Sequence, residues 1–399
     1  MKYDFDTVVD RAAAPFSYSA KWMSGDGPLS RMFLQMTGFD SYPEDRLCFQ
    51  TADMDFKCAP EITEALIKTA EHGIFGYSVA PDAYYDAVCK WFHDRFDWDF
   101  SPESISLGSS GTHALIVDCI NSFTQPGEGV IVLLPSYNYH ADIEDNGRVM
   151  VGIQMLNDNG YYTVDYDALE KACSDRNNTM IILVQPHNPT GRVFTEEEIL
   201  KIGEICRKND VIIVSDEVHI DIARKGTKIC PVMKVLGPQG VISATAVNKT
   251  FNLAGLAMSN LIIEDKELRA KLKTGFPMAT PFGITAVITA YTQGGPWVDE
   301  LNEYLDQLID YAMERFAKDL PKVRIAKPEG TYVLWADFSG YGLSDEELAE
   351  RLRATHIFIG DGVGFDQPNG KQYRRFCLTS PMSQVEEAFD RLAAQFRDC

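Results

Sequence analysis

Five short apolar runs constrain this chain most: residues 130–134, 180–184, 211–214, 241–246 and 260–263 are rich in β-branched residues, and their apolar character is continuous rather than alternating. Continuous hydrophobicity in a strand means burial on both faces, which favours a mainly parallel sheet covered by helices. Helix-like stretches separate several of the runs. The best marked starts after Thr195, a candidate N-cap whose capping-box partner Glu198 lies three residues on. Ile199, Ile202, Ile205 and Cys206 supply its apolar stripe. The expected class is therefore α/β.

Three polar residues stand just beyond such runs: Asn188 in Gln185-Pro186-His187-Asn188-Pro189-Thr190-Gly191, Asp216 in Ser215-Asp216-Glu217-Val218-His219, and Lys249 in Asn248-Lys249-Thr250-Phe251-Asn252. Their separations of 28 and 33 residues (216 − 188 and 249 − 216) suit successive crossover units of one sheet. An amine can form a Schiff base with an aldehyde, a carboxylate can keep a pyridine nitrogen protonated, and an amide can donate to a phenolate oxygen. That set is what a pyridoxal phosphate (PLP) site needs. Singly, each residue has a plainer explanation: a solvated lysine, a helix cap or local ion pair for Asp216, turn chemistry for Asn188. Their shared place at strand ends, where open α/β sheets bind ligands, favours the combined reading.

Further candidates surround these three. Gly108-Ser109-Ser110-Gly111-Thr112-His113 follows a strand-like run and opens a helix, so Ser110, Gly111 and Thr112 form a candidate phosphate cradle. His219 can approach a phenolic oxygen or pack as a core histidine. Arg375 can clamp a substrate carboxylate through its guanidinium fork, with Arg374 as the surface member by strand alternation. Tyr77 and Tyr137 are a candidate phosphate donor and ring-stacking partner. The seven histidines include no His-x-x-x-His pair, no cysteine cluster suits zinc, and no Gly-x-Gly-x-x-Gly or Walker loop occurs, so metal and nucleotide readings fall away.

A formal charge of −21, from 37 basic and 58 acidic residues, argues against nucleic acid or membrane surfaces as partners. Nine cysteines without a Cys-x-x-Cys pair read as reduced thiols, and Met1-Lys2-Tyr3-Asp4-Phe5-Asp6 does not resemble an export signal; the expectation is a cytoplasmic protein. Residues 1–50 show little periodicity and read as an arm that packs on the rest or on another subunit. Residues 51–285 form the expected large domain. Pro281, Gly283 and Gly294-Gly295-Pro296 then interrupt the chain, and a smaller α+β domain is expected over 286–399, with an amphipathic helix from 297 to about 320, a strand over 331–338, a helix over 344–355 and a closing helix from Ser383.

With these motifs the chain resembles a fold-type I PLP enzyme of the aspartate aminotransferase superfamily. Within it the resemblance is to the cystathionine β-lyase branch called the MalY/PatB family, which includes the cystalysins. It rests on Lys21-Trp22, Ala52-Asp53-Met54-Asp55-Phe56, Gly76-Tyr77, Pro186-His187-Asn188-Pro189, Ser215-Asp216-Glu217-Val218-His219, Lys249-Thr250-Phe251-Asn252-Leu253-Ala254-Gly255 and Glu329-Gly330-Thr331-Tyr332. The resemblance implies a three-layer sandwich around the sheet. It makes Lys249 the Schiff-base lysine, Asp216 the pyridinium partner, Asn188 a neighbour of the phenolic oxygen and Tyr137 the stacking ring, with the Gly111 and Thr112 amides on the phosphate. It also implies a homodimer in which Tyr77 reaches the neighbouring subunit's phosphate. The chain departs from the pattern at Asn248, where a phosphate-holding Ser is usual, at Val247, at Cys377, at Asn138-Tyr139-His140, and between Asp361 and Tyr373, where residues 366–372 look extra.

These residues fit a carbon-sulfur β-lyase acting on a small amino acid of the cystathionine or cysteine type. An aminotransferase needs the same amine, electron sink and clamp, and a PLP-binding protein with little activity is a third reading.

Overall fold

The computed structural model describes residues 1–12, 18–273, 278–367 and 369–398; residues 13–17 of the arm, 274–277, Pro368 of the extra segment and Cys399 lie outside the described residues. Seven strands form the central sheet: β1 (Ile105–Gly108), β2 (Gly129–Leu134), β3 (Val149–Gln154), β4 (Asn178–Val184), β5 (Ile212–Asp216), β6 (Val241–Thr245) and β7 (Ser259–Ile262). Their order is β1-β7-β6-β5-β4-β2-β3. All neighbours from β6 to β3 pair in parallel, whereas β7 is antiparallel to both β6 and β1. Each of the five apolar runs supplies one of these strands.

The continuous hydrophobicity of the runs has the expected cause. Val130, Val132 and Leu134 pack into one apolar cluster, while Ile131 and Leu133 pack into the other, and Ile182 and Ile181 divide in the same way. Side chains alternate across a strand, so both faces of the sheet are covered and the architecture is a three-layer sandwich. Each such buried aliphatic side chain contributes roughly 1.5–3 kcal/mol. The helix Glu196–Lys208 begins with the full capping box of Thr195 and Glu198, and Ile199, Ile202, Ile205 and Cys206 are buried.

A smaller C-terminal α+β domain carries a second sheet, in which Tyr373–Cys377 lies antiparallel between Val333–Asp337 and Gly360–Asp361. Helices Gly295–Asp319 and Met382–Phe396 pack beside it, with the Phe316 ring 5.7 Å from Phe376 and 5.0 Å from Phe389. Where the sequence suggested an interruption at Pro281 and Gly283, a helix runs over Pro281–Gln293. Proline is tolerated at the first helical position, and the Thr280 hydroxyl accepts the Gly283 N–H at 3.0 Å. A Cβ at Gly283 would lie 2.5 Å from the Met258 sulfur, so a larger residue there would have to displace that buried side chain.

The N-terminal residues pack on the rest of the chain. The Phe5 ring stands 5.4 to 5.6 Å from Phe56, Trp297 and Tyr304. Lys21 donates to Asp55 at 2.8 Å, with both side chains buried, and the Arg11 guanidinium, Trp22 indole and Ser380 hydroxyl donate to the same carboxylate. A helix over Pro28–Thr37 and a two-residue strand, Leu47–Cys48, paired with Ile357–Phe358, add structure where the sequence showed little periodicity. No described helix is long and apolar enough to cross a membrane.

Candidate active site

The chain order reverses between β2 and β4, and the carboxyl ends of those strands open a crevice of the kind that binds ligands in open α/β sheets. There the structure forms a cavity of about 180 Å³. Lys249, Asp216, Asn188, His219 and Tyr137 line one part of it; Ser110, Gly111, Thr112 and Asn248 line another. Arg375 joins them through Asn188, whereas Tyr77 stands apart, 96% exposed in the extended segment before helix Asp82–Phe96.

Asp216 ends β5 as a buried carboxylate. Its Oδ2 accepts the Tyr139 hydroxyl at 2.5 Å and its Oδ1 accepts the Val218 N–H at 3.2 Å. Burial raises its pKa, with these two hydrogen bonds opposing the rise. A carboxylate so placed calls for a cation. Tyr139 was legible in the sequence only as a departure from the family pattern. His113, also in the cavity, is hydrogen-bonded to Asp142, which raises its pKa, and its ring lies 5.0 Å from Tyr137.

Lys249 sits where the chain leaves β6 and turns back toward the antiparallel β7. Its Nζ donates to the Ala52 carbonyl at 2.9 Å, an oxygen that also accepts the Tyr332 hydroxyl at 3.1 Å. Burial lowers its pKa and the positive charge of Arg375 adds to the effect. An amine with a lowered pKa has more of the unprotonated form that attacks a carbonyl. His219 is buried with neither ring nitrogen hydrogen-bonded among the described residues, and burial drives its pKa down, so it is a neutral imidazole facing the cavity.

At the other end, helix Thr112–Phe123 starts without a side-chain cap, which leaves amides for an anion. Gly111 has a φ of +82°, a conformation suited to glycine, but its N–H donates to the Ala257 carbonyl at 2.8 Å. The expected use of the Gly111 amide on a phosphate is therefore corrected, while the Thr112 amide, at the first helical position, has no acceptor within the helix. Asn248 lines the cavity, and with its nitrogen turned toward the loop it donates to the Leu253 and Met258 carbonyls at 3.3 and 3.1 Å.

Arg375 is buried, donating from Nη1 to Asn188 Oδ1 at 3.2 Å and from Nη2 to the Gln50 carbonyl at 2.8 Å. Its guanidinium lies 4.5 Å from the centre of the Phe365 ring. Arg374 is also buried, contrary to the surface placement expected from alternation, because its guanidinium turns back to donate to the Lys371 and Tyr373 carbonyls.

Glu217, next to Asp216, is fully buried and accepts the Val232 N–H at 2.6 Å and the Ser215 hydroxyl at 3.0 Å. Burial nevertheless pushes its pKa up from 4.5 to about 7. The folded state then holds a proton that the unfolded chain has released, so this contribution is fully present below the unfolded value and is lost as pH rises through 7. Glu217→Gln is expected to match the parent near pH ~4 and to exceed its stability by about 2–3 kcal/mol above pH ~8. Thermal midpoints of both proteins across that range check this; a difference that does not grow with pH refutes it.

An unpartnered neutral imidazole, a buried carboxylate in need of a cation, a partly buried amine and an uncapped helix start together fit a flat, cationic heterocycle that carries an aldehyde and an anionic tail, as PLP does. Comparison with known proteins leads to the same chemistry. Cystathionine beta-lyase PatB of Bacillus subtilis is 38% identical over 360 residues, covering 88% of this chain and 92% of PatB. Protein MalY of Escherichia coli is 28% identical over 86% of this chain and 90% of its own length. The PLP-containing cystalysin of Treponema denticola superposes with a TM-score of 0.91 at 30% identity, covering 100% of both chains. The family described as aminotransferase class I and II matches residues 45–392, most of the sequence, and the chain belongs to that family.

Proposed function

We propose that this protein is a PLP-dependent carbon-sulfur β-lyase that cleaves cystathionine- or cysteine-type amino acids to a thiol, pyruvate and ammonia. The observation that carries the reading is the convergence of Lys249, Asp216 and the Arg375–Asn188 pair on one cavity at the sheet's carboxyl edge. The similarity to PatB and cystalysin supports the lyase assignment within the family.

When bound, PLP supplies an electron sink beside the substrate's Cα. The other tasks fall to side chains of this chain. Asp216, held by Tyr139, would keep the pyridine nitrogen protonated. Arg375 receives the substrate carboxylate and thereby fixes which Cα bond faces Lys249. Lys249 would hold the cofactor through its Nζ, and that amine, once free beside the substrate, would take the Cα proton and is the candidate to deliver a proton to the departing sulfur. Thr112, Ser110 and the helix start would hold the phosphate, and His219 and Asn188 would be the groups available to the phenolic oxygen.

A second copy of the chain completes this reading. Tyr77, nearly fully exposed beside the exposed Ile74, Phe75 and Val79, would reach the phosphate of the partner's site in a homodimer. The deciding experiment incubates the purified protein with cystathionine in the absence of any keto acid. Pyruvate and thiol release supports the lyase; turnover only after a keto acid is added identifies an aminotransferase; no turnover under either condition favours a binding role.

A further inference from the structure

Next to the cofactor cavity lies a second one of about 360 Å³, between the loop after β2 and the 362–367 segment. Tyr137 and Tyr139 line both, so the two chambers share an aromatic wall. The far wall carries Phe365 and Asp366. The Phe365 carbonyl accepts the Ser136 N–H at 2.9 Å, and its ring lies against the Arg375 guanidinium. Phe365 thus bridges this second chamber and the proposed carboxylate clamp, Arg375.

The polar groups of the chamber are incompletely satisfied. Ser136 is 2% exposed, and its hydroxyl has no hydrogen-bond partner among the described residues. Asp366 is 7% exposed; its Oδ1 accepts the Gln154 amide at 2.8 Å and the Asn369 amide at 3.3 Å. Both donors are neutral, and among the described residues no Lys or Arg lines the chamber. The only basic side chain among the described residues there, His140, is more than half exposed and faces Glu144 at 3.5 Å. A nearly buried carboxylate without a cation is costly, and one that lines a cavity is ready to receive a cation from outside.

We propose that this chamber holds the thiol-side half of the substrate and selects leaving groups that end in an ammonium, with Asp366 as its partner and Ser136 as a second acceptor. The proposal rests on the lyase reading above and adds the substrate class to it. An anionic leaving group meets only Asp366 and neutral groups in the chamber and is disfavoured.

The test uses the holoenzyme with three cysteine thioethers of similar length: S-(2-aminoethyl)cysteine, S-propylcysteine and S-(carboxymethyl)cysteine. Pyruvate release gives kcat/KM for each. The aminoethyl compound is expected to exceed the propyl compound about tenfold, with the carboxymethyl compound lowest, in line with a charge-assisted hydrogen bond. In Asp366→Asn the aminoethyl-to-propyl ratio is expected to fall to about one, and in Asp366→Glu, which keeps the charge, to stay well above one. The cofactor absorption band serves as the check that each variant is folded and loaded. Equal turnover of the three compounds by the parent, or a ratio unmoved in Asp366→Asn, overturns the proposal. If none of the three is cleaved, the lyase reading fails instead, and titrating the cofactor band with the same amino acids still reads the order of binding that the chamber imposes.

Discussion

Replacing Lys249 with alanine is expected to lower turnover by about 10⁴-fold or more, because in the proposed mechanism one side chain supplies both the covalent attachment and the proton transfer. The same substitution is expected to remove the visible absorbance of the lysine-bound cofactor while leaving the fold intact. Lys249 is only partly buried and its Nζ contacts a single backbone oxygen, that of Ala52, so its loss removes little packing. Stopped-flow measurement of Cα proton release, together with the visible spectrum, checks the prediction. Retention of more than about a hundredth of the parent rate would transfer the proton step to another group.

The second large effect is structural. Asp55→Ala is expected to destabilise the protein by about 3–5 kcal/mol, the usual consequence of leaving a buried charge without its counter-ion. Lys21, wholly buried, would retain only the Thr379 hydroxyl at 3.1 Å and the Asp53 carbonyl at 3.5 Å. Burial pushes the Asp55 pKa up, but Lys21 and the hydrogen bonds from Lys21, Ser380 and Arg11 outweigh it and hold the carboxyl below its ordinary range. Its stabilisation is therefore present above the unfolded carboxyl pKa and is lost as pH falls through the lower folded value. Denaturant titration near neutral pH reads the loss. The double variant Asp55→Ala/Lys21→Met is expected to recover part of it, since the unpaired ammonium is gone; no recovery would locate the cost in the remaining partners of Asp55.

The sheet was legible because strands buried on both faces must be written as uninterrupted apolar runs, and Asn188, Asp216 and Lys249 were legible because polar residues closing such runs need a reason to be there. Tyr139 was harder to recognise, since an aromatic residue two positions after another aromatic looks like ordinary packing until its hydroxyl is found on Asp216. The Ala52 carbonyl that holds Lys249 has no signature at all: every residue carries a carbonyl, and only the folded chain selects one. The helix Pro281–Gln293 was masked by Pro and Gly, which read as breaks until Thr280 is seen to cap the first turn and Met258 to fill the space over Gly283. The burial of Arg374 escaped strand alternation because alternation fixes only the direction in which a side chain leaves the strand, and the guanidinium folds back on neighbouring carbonyls.

The partition formed by Tyr137 and Tyr139 ties two properties that an enzyme could otherwise tune separately. Any replacement that widens the thiol-side chamber at Tyr139 also removes or moves the phenol that steadies Asp216, so a shift in the range of accepted sulfur compounds brings a shift in the colour and acidity of the bound heterocycle with it. Asp366, on the opposite wall, contacts Gln154 and Asn369 rather than the tyrosine partition, so a change there leaves the phenol on Asp216 in place.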